Sequence, residues 1–298
     1  MTLILDGKVV ADNIQQNLKI FFGKPCYQSS YLAIIMLGND HPGLIYVKLK
    51  HYFARQLWLW CHIYGSVHLD GDGVDYSYET LIKKIDNLNN DPNCIGIIIQ
   101  QPLPPHLLAY KGQILSRIHP SKDCDWLGGI LFGLDSIDRI KFVPATPGAT
   151  INLLKYYQLD QMRGKTIVIL WQSNLIGKPL AMYCIKQGAT VISFNSKSPQ
   201  TLVKKICHEA DYILSATGVV HLIDETYLSD RWDQIIIDIG RWLQDGKAVG
   251  DIDRKSCVDK CYALAKVPWW VWPVTVANLF DNIRILQSLS LSRADFKI

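Results

Sequence analysis

Tyr46 and Lys50 stand four residues apart in a stretch, 44–57, whose apolar spacing predicts a helix, so the two side chains share one face. Gln100 closes the apolar run Ile95–Gln100, and Asp125 follows a segment bounded by Pro120. Both fall where loops can meet at strand ends. A lysine amine beside a phenol and a carboxamide oxygen, partly withdrawn from water, is a candidate proton-transfer group, because desolvation disfavours the ammonium form. Each residue alone also has an ordinary explanation. A Tyr/Lys pair on a helix is commonly a solvated face, and a glutamine after a strand is commonly a hydrogen-bonded loop residue.

A second chemical cluster follows the predicted strand Thr166–Leu170. The turn reads Trp171-Gln172-Ser173-Asn174-Leu175-Ile176-Gly177-Lys178-Pro179, and a helix is predicted over Pro179–Gln187. A strand, a turn and a helix opening on glycine is the arrangement that offers backbone N–H groups to a dinucleotide pyrophosphate. Gly177 allows close helix–strand packing, and Pro179 suits a first helical turn. The next predicted strand, Thr190–Phe194, ends in Asn195-Ser196-Lys197-Ser198. A carboxylate there would favour the ribose hydroxyl of NAD, whereas a Ser-Lys pair suits the 2′-phosphate of NADP.

These groups need a scaffold of alternating strands and helices. Val10, Ile14, Leu18 and Phe22 recur at a helical step, and Tyr31–Leu37 reads as a buried strand. Residues 61–69 read as a second strand. Ser77 can cap a helix carrying Leu81, Ile82, Ile85 and Leu88. After Pro144-Ala145-Thr146-Pro147 come a helix over Thr150–Tyr157, the two strands just described, further strands at Tyr212–Ala216 and Ile235–Asp238, and a last helix near Thr275–Leu289. Such alternation predicts parallel sheets in an α/β protein.

Composition narrows the function classes. Hydrophobic residues at 49% and charged residues at 19% indicate a globular chain, and 298 residues suit two α/β domains. A net charge of +4 without a dense Lys/Arg run gives no footprint for nucleic acid, and no apolar run is long enough to span a membrane. No signal peptide is read at Met1, and eight scattered cysteines suggest reduced thiols in the cytoplasm. Cys257 and Cys261 form an isolated CxxxC pair without a companion pair or His cluster, so no metal site is expected.

Several motifs occur together and in order: Asp6-Gly7-Lys8, Tyr46-x-x-x-Lys50, Gly96-Ile97-Ile98-Ile99-Gln100-Gln101-Pro102-Leu103-Pro104, His119-Pro120-Ser121-Lys122-Asp123-Cys124-Asp125, Pro144-Ala145-Thr146-Pro147, Val249-Gly250-Asp251 and Pro273-Val274-Thr275-Val276-Ala277. This series resembles the bifunctional methylenetetrahydrofolate dehydrogenase/cyclohydrolases from about Leu5 to about Leu289. The resemblance implies a folate-binding catalytic domain over 1–145, completed by about 275–298, and a Rossmann NADP-binding domain over 146–274. The final helix would pack back on the first domain, with folate and nicotinamide in the cleft between domains. It implies that Lys50 is the general acid/base, that Tyr46 stacks on the folate, that Gln100 positions the lysine and that Asp125 binds the pterin, with Pro273 also at the substrate. NADP would be held by Trp171, Gln172, Ser173, Gly177, Ser196, Lys197 and Arg241. Tetrahydrofolate derivatives and a second copy of the chain, in a homodimer, are the implied partners.

The chain departs from the family pattern in one recurrent way. Trp58, Trp126, Trp171, Trp269, Trp270 and Trp272 occupy positions where the family has glycine, and Gly43 replaces a serine. A tryptophan where glycine takes φ > 0 carries a Cβ penalty of about 1–2 kcal/mol. Drift under relaxed selection, a mistranslated reading and deliberate alteration would each produce the pattern. An impaired relative that keeps the fold, acting only as a cyclohydrolase or as a non-catalytic dimer partner, is therefore the alternative function. An unrelated Rossmann dehydrogenase is the third, set against the Tyr46/Lys50/Gln100/Asp125 series.

Overall fold

The computed structural model describes residues 1–38, 41–65, 69, 71–129, 133, 143–240, 242–244, 247–265, 267 and 271–289. The chain divides into two units: Asn13–Ala145 with Val276–Ile298, and Met1–Asp12 with Thr146–Thr275.

In the first of these, β2 (Tyr31–Met36) lies between β3 (Trp60–Tyr64) and β4 (Cys94–Gln100), all parallel. Ile34 pairs with Ile63 on one side and Ile98 on the other. Every residue of β2 is buried, as expected for a parallel strand covered on both faces. One layer of core joins Leu18, Leu57, Ile98, Phe280 and Ile283, and the other joins Ile35, Leu81, Ile85, Ile97 and Ile114. Ser77 caps α3 (Tyr78–Asn90) through an Oγ that accepts from the Thr80 amide at 3.3 Å. The helix Val271–Ser288 sends Phe280 against Phe53, with ring centroids 5.1 Å apart. It begins four residues before the expected Thr275.

The other unit is a parallel sheet of six strands, β1 (Leu3–Leu5), β5 (Thr166–Leu170), β6 (Thr190–Phe194), β7 (Tyr212–Ser215), β8 (Ile235–Asp238) and β11 (Ala263–Ala265). Their order across the sheet is β1-β11-β8-β7-β5-β6. The strands β9 (Trp242–Gln244) and β10 (Lys247–Val249) form a separate antiparallel pair. Because β6 and β7 flank β5 on opposite sides, the strand order reverses at β5. That reversal opens a crevice at its carboxyl end, the usual place for a ligand in an open α/β sheet.

Two expectations need correction. Residues 1–145 do not stay together: Leu3–Leu5 pair with Ala263–Ala265, which takes Met1–Asp12 into the six-stranded unit. The strand expected over 61–69 is Trp60–Tyr64, while residues 66–68 and 70 lie outside the described residues.

Four tryptophans adopt left-handed backbone: Trp58 at φ 57°, Trp126 at 63°, Trp171 at 117° and Trp232 at 60°. Among the described residues, the other non-glycine positions of this kind are Gln158, His221 and Asp259.

Candidate active site

The lysine cluster lies wholly in the three-stranded unit. Lys50 is on α2 (His41–Gln56) and is only 8% exposed. Its Nζ donates to Gln100 Oε1 at 3.1 Å, at the end of β4. The amide of Gln100 is held the right way round because its Nε2 donates to the Gln101 carbonyl at 2.9 Å. Tyr46 is half-buried one turn before Lys50. Asp125, also half-buried, follows Cys124, whose buried thiol lies within electrostatic reach of both Asp125 and Lys50. Burial pushes that thiol well up, with Asp125 adding to the rise and Lys50 opposing it. The Cys61 thiol, pushed up to about 12 by burial, also feels Lys50. Lys50 and Gln100 are therefore in direct contact, Tyr46 lies one turn away on the same helix, and Lys50 and Asp125 both act electrostatically on the Cys124 thiol.

Two residues that sequence reasoning passed over hold the Asp125 loop. Asn282, buried on the last helix, donates through Nδ2 to the carbonyls of Cys124 and Val143, each at 3.1 Å. Its signal was a polar side chain on an apolar helix face. Asn282→Ala leaves both carbonyls without that donor, so it is expected to destabilise the chain by about 2–4 kcal/mol, on the order of 1–2 per carbonyl. Urea titration checks this.

Asp123 is the other holder. Its Oδ2 accepts from the Gly128 amide at 2.8 Å and its Oδ1 from the Leu127 amide at 3.2 Å. A side chain at Gly128 would crowd that carboxylate. Burial pushes Asp123 up to about 7 despite these bonds. A carboxyl raised in the fold binds a proton that the unfolded chain releases, so stability is full below the unfolded value near 4. It falls as pH rises towards 7. The loss is at most about 4 kcal/mol. Asp123→Asn is expected to shrink the drop in urea midpoint between pH 5 and pH 8, and an unchanged drop would remove this assignment.

The nucleotide side is confined to the six-stranded unit. A cavity of about 260 Å³ opens beyond β5 and β6, lined by Leu170, Trp171, Phe194, Asn195, Ser196 and Tyr227 among others. The Trp171 amide donates to the Phe194 carbonyl at 2.9 Å, which extends the strand pairing into the turn. Gln172 Nε2 donates to the Ser193 carbonyl, and Asn195 Nδ2 donates to Gln172 Oε1, both at 2.9 Å. Ser173 Oγ accepts from the Ile176 amide at 3.1 Å. The helix runs Gly177–Lys186 and starts two residues earlier than expected. A Cβ at Gly177 would overlap the Trp171 carbonyl, so the close approach of helix to turn demands glycine. Ser196 and Lys197 are exposed after β6, with Ser196 on the cavity. Pro273 sits in the first turn of the helix Val271–Ser288, and Arg241 lies outside the described residues.

A buried carboxylate pair closes the ends of β7 and β8. Asp251 Oδ2 accepts from Ser215 Oγ at 2.7 Å and from the Thr217 amide at 2.6 Å, while the Asp251 amide donates to Asp238 Oδ1 at 3.0 Å. Burial, then Asp251, holds Asp238 well above the usual carboxylate range. Side chains at Gly240 or Gly250 would overlap these carboxylates, which explains the Asp238-x-Gly240 and Gly250-Asp251 motifs.

A parallel sheet with a cavity at its strand-order reversal, and a separate unit holding a buried lysine against a carboxamide, define a two-unit α/β enzyme of the dinucleotide-binding class. Residues 5–125 match the catalytic-domain model of the tetrahydrofolate dehydrogenase/cyclohydrolases, and residues 144–290 match the model of their NAD(P)-binding domain. The bifunctional protein FolD of Mycoplasma mycoides is 36% identical over 97% of this chain and 98% of its own length. That of Clostridium beijerinckii is 32% identical over 95% and 96%. The crystal structure of the Campylobacter jejuni enzyme is 30% identical, with a TM-score of 0.88 over 97% of this chain and all of that one. The chain belongs to the tetrahydrofolate dehydrogenase/cyclohydrolase family.

Proposed function

We propose that the protein oxidises 5,10-methylenetetrahydrofolate with NADP⁺ and hydrolyses the resulting 5,10-methenyl cation to 10-formyltetrahydrofolate. The observation that carries this reading is the hydrogen bond from the buried Lys50 to Gln100 in a chain of this family. A Trypanosoma brucei relative, 26% identical with a TM-score of 0.85, was crystallised with NADP and an inhibitor.

The residues present fit such a cofactor: a cavity at the carboxyl end of β5, a glycine where the helix meets the turn, and Ser196 and Lys197 for a 2′-phosphate. When bound, NADP⁺ accepts the hydride that leaves the methylene bridge. The chain orients the folate for that transfer through Tyr46, whose ring faces the pterin, and Asp125, which accepts from pterin N–H groups. In the second step water adds to the methenyl carbon, and the Lys50 amine takes the proton as the carbon–oxygen bond forms. Collapse then breaks the bond from that carbon to one bridge nitrogen, which receives the hydroxyl proton. Gln100 Oε1 fixes the direction of the Lys50 amine throughout.

The test is to follow NADPH and 10-formyltetrahydrofolate together after mixing purified protein with NADP⁺ and 5,10-methylenetetrahydrofolate. Both are expected to form, and neither forming would overturn the proposal. The position of Trp171 on the cavity favours a second reading, a cyclohydrolase with weak dehydrogenase activity, which gives hydrolysis of added methenyl substrate without NADPH. A homodimer is the assembly the resemblance implies. All eight cysteines are free thiols, which supports a reducing compartment such as the cytoplasm. Among the described residues, no helix is long and apolar enough to cross a membrane.

A further inference from the structure

Three of the four left-handed tryptophans share one explanation. A bulky residue at φ > 0 is an outlier, whereas Asp and His visit that region several times more often than other residues. His221 and Asp259 therefore fall closer to ordinary behaviour than Trp58, Trp126, Trp171 and Trp232. Packing does not compensate at three of the four. Trp58 is 66% exposed, Trp232 51% and Trp171 37%. These are sites where the backbone asks for glycine and the indole contributes little contact in return.

Chance substitution does not make such a set. A single base change converts glycine codons to Ala, Val, Asp, Glu, Ser, Cys or Arg as well as Trp, yet among the described non-glycine sites of this backbone type four of seven are tryptophan and one, Asp259, is another of those products. One codon connects the two residues throughout. UGA differs from the glycine codon GGA only at its first base, and some decoding systems read it as tryptophan.

We propose that residues 58, 171 and 232 are encoded by UGA, that the cell making this protein decodes UGA as glycine, and that the working protein carries glycine at all three. The inference rests on backbone conformation and not on the proposed reaction. It removes the main reason for regarding the chain as an impaired relative, because the turn after β5 then regains the residue that permits close approach of a dinucleotide. Trp232 carries independent weight, since its φ of 60° marks it without any appeal to family motifs. The same codon is expected at 269, 270 and 272, which stand at family glycine positions.

The test combines the gene sequence with tandem mass spectrometry of the protein isolated from its native cells. The expected result is UGA at the three positions and peptides whose fragment masses place glycine there. UGG codons, or fragments carrying tryptophan at these positions, would overturn the proposal. Either outcome is read without measuring activity, so it is separable from failure of the folate chemistry.

Discussion

Lys50→Met is expected to lower methenyltetrahydrofolate hydrolysis by about 10²–10⁴-fold, the usual contribution of a positioned general acid or base. The substitution keeps an unbranched apolar stem in the buried slot and removes only the amine that donates to Gln100. The fold should therefore survive, and an unchanged circular dichroism melt would confirm it. Hydride transfer needs no proton acceptor at this position, so NADP⁺ reduction should fall far less than hydrolysis. Lys50→Arg should not restore hydrolysis, because a guanidinium stays protonated at any working pH. Gln100→Ala should give a smaller loss, again larger for hydrolysis than for NADP⁺ reduction, since it frees the amine's direction without removing it. Hydrolysis at the unmodified rate in Lys50→Met would eliminate the lysine as the base.

The second large effect is on stability. Replacing Trp58, Trp171 and Trp232 together by glycine should raise the melting temperature. Relief of left-handed strain is worth about 1–2 kcal/mol at each site. The added freedom of glycine in the unfolded chain returns about 0.5–1 kcal/mol of that. These indoles are largely exposed, so little burial is lost. A net gain of roughly 2–3 kcal/mol across the three sites corresponds to about 3–5 °C in a chain of this size. Trp126 is left out because it is 5% exposed within the core that includes Val47, Leu279 and Phe280. Truncating a buried aromatic costs about 3–5 kcal/mol, which exceeds the strain relieved. Trp171→Gly alone should also tighten NADP⁺ binding about tenfold, equivalent to roughly 1.4 kcal/mol, since the indole lines the cavity. A triple variant that melts no higher than the parent would contradict the strain argument.

How far the sequence carried this account depends on what kind of signal each feature leaves. Long buried strands such as Tyr31–Met36 and Thr166–Leu170 announce themselves as apolar runs, and Ser77 announces the start of α3. Strands of three residues leave no periodicity. Leu3–Leu5 and Ala263–Ala265 were therefore passed over, and with them the membership of the first twelve residues. Tyr46 and Lys50 are legible as a pair on one helix face, and Gln100 as the end of an apolar run. The residues that hold the Asp125 loop, Asn282 and Asp123, act through carbonyls and amides distant in sequence or hidden in a turn. Nothing in their local pattern names those partners. The tryptophans were visible as oddities, and Trp232 became one only when its backbone angle was known.

The claim at the centre is that Tyr46, Lys50, Gln100 and Asp125 serve one folate-binding site. Calorimetric titration of a non-reactive tetrahydrofolate analogue into the unmodified protein, Tyr46→Ala and Asp125→Ala reads this most directly. The account expects each variant to bind at least about tenfold more weakly, a loss near 1.4 kcal/mol, with the folded state intact. Affinity that is the same in all three proteins would place the folate elsewhere and contradict the account.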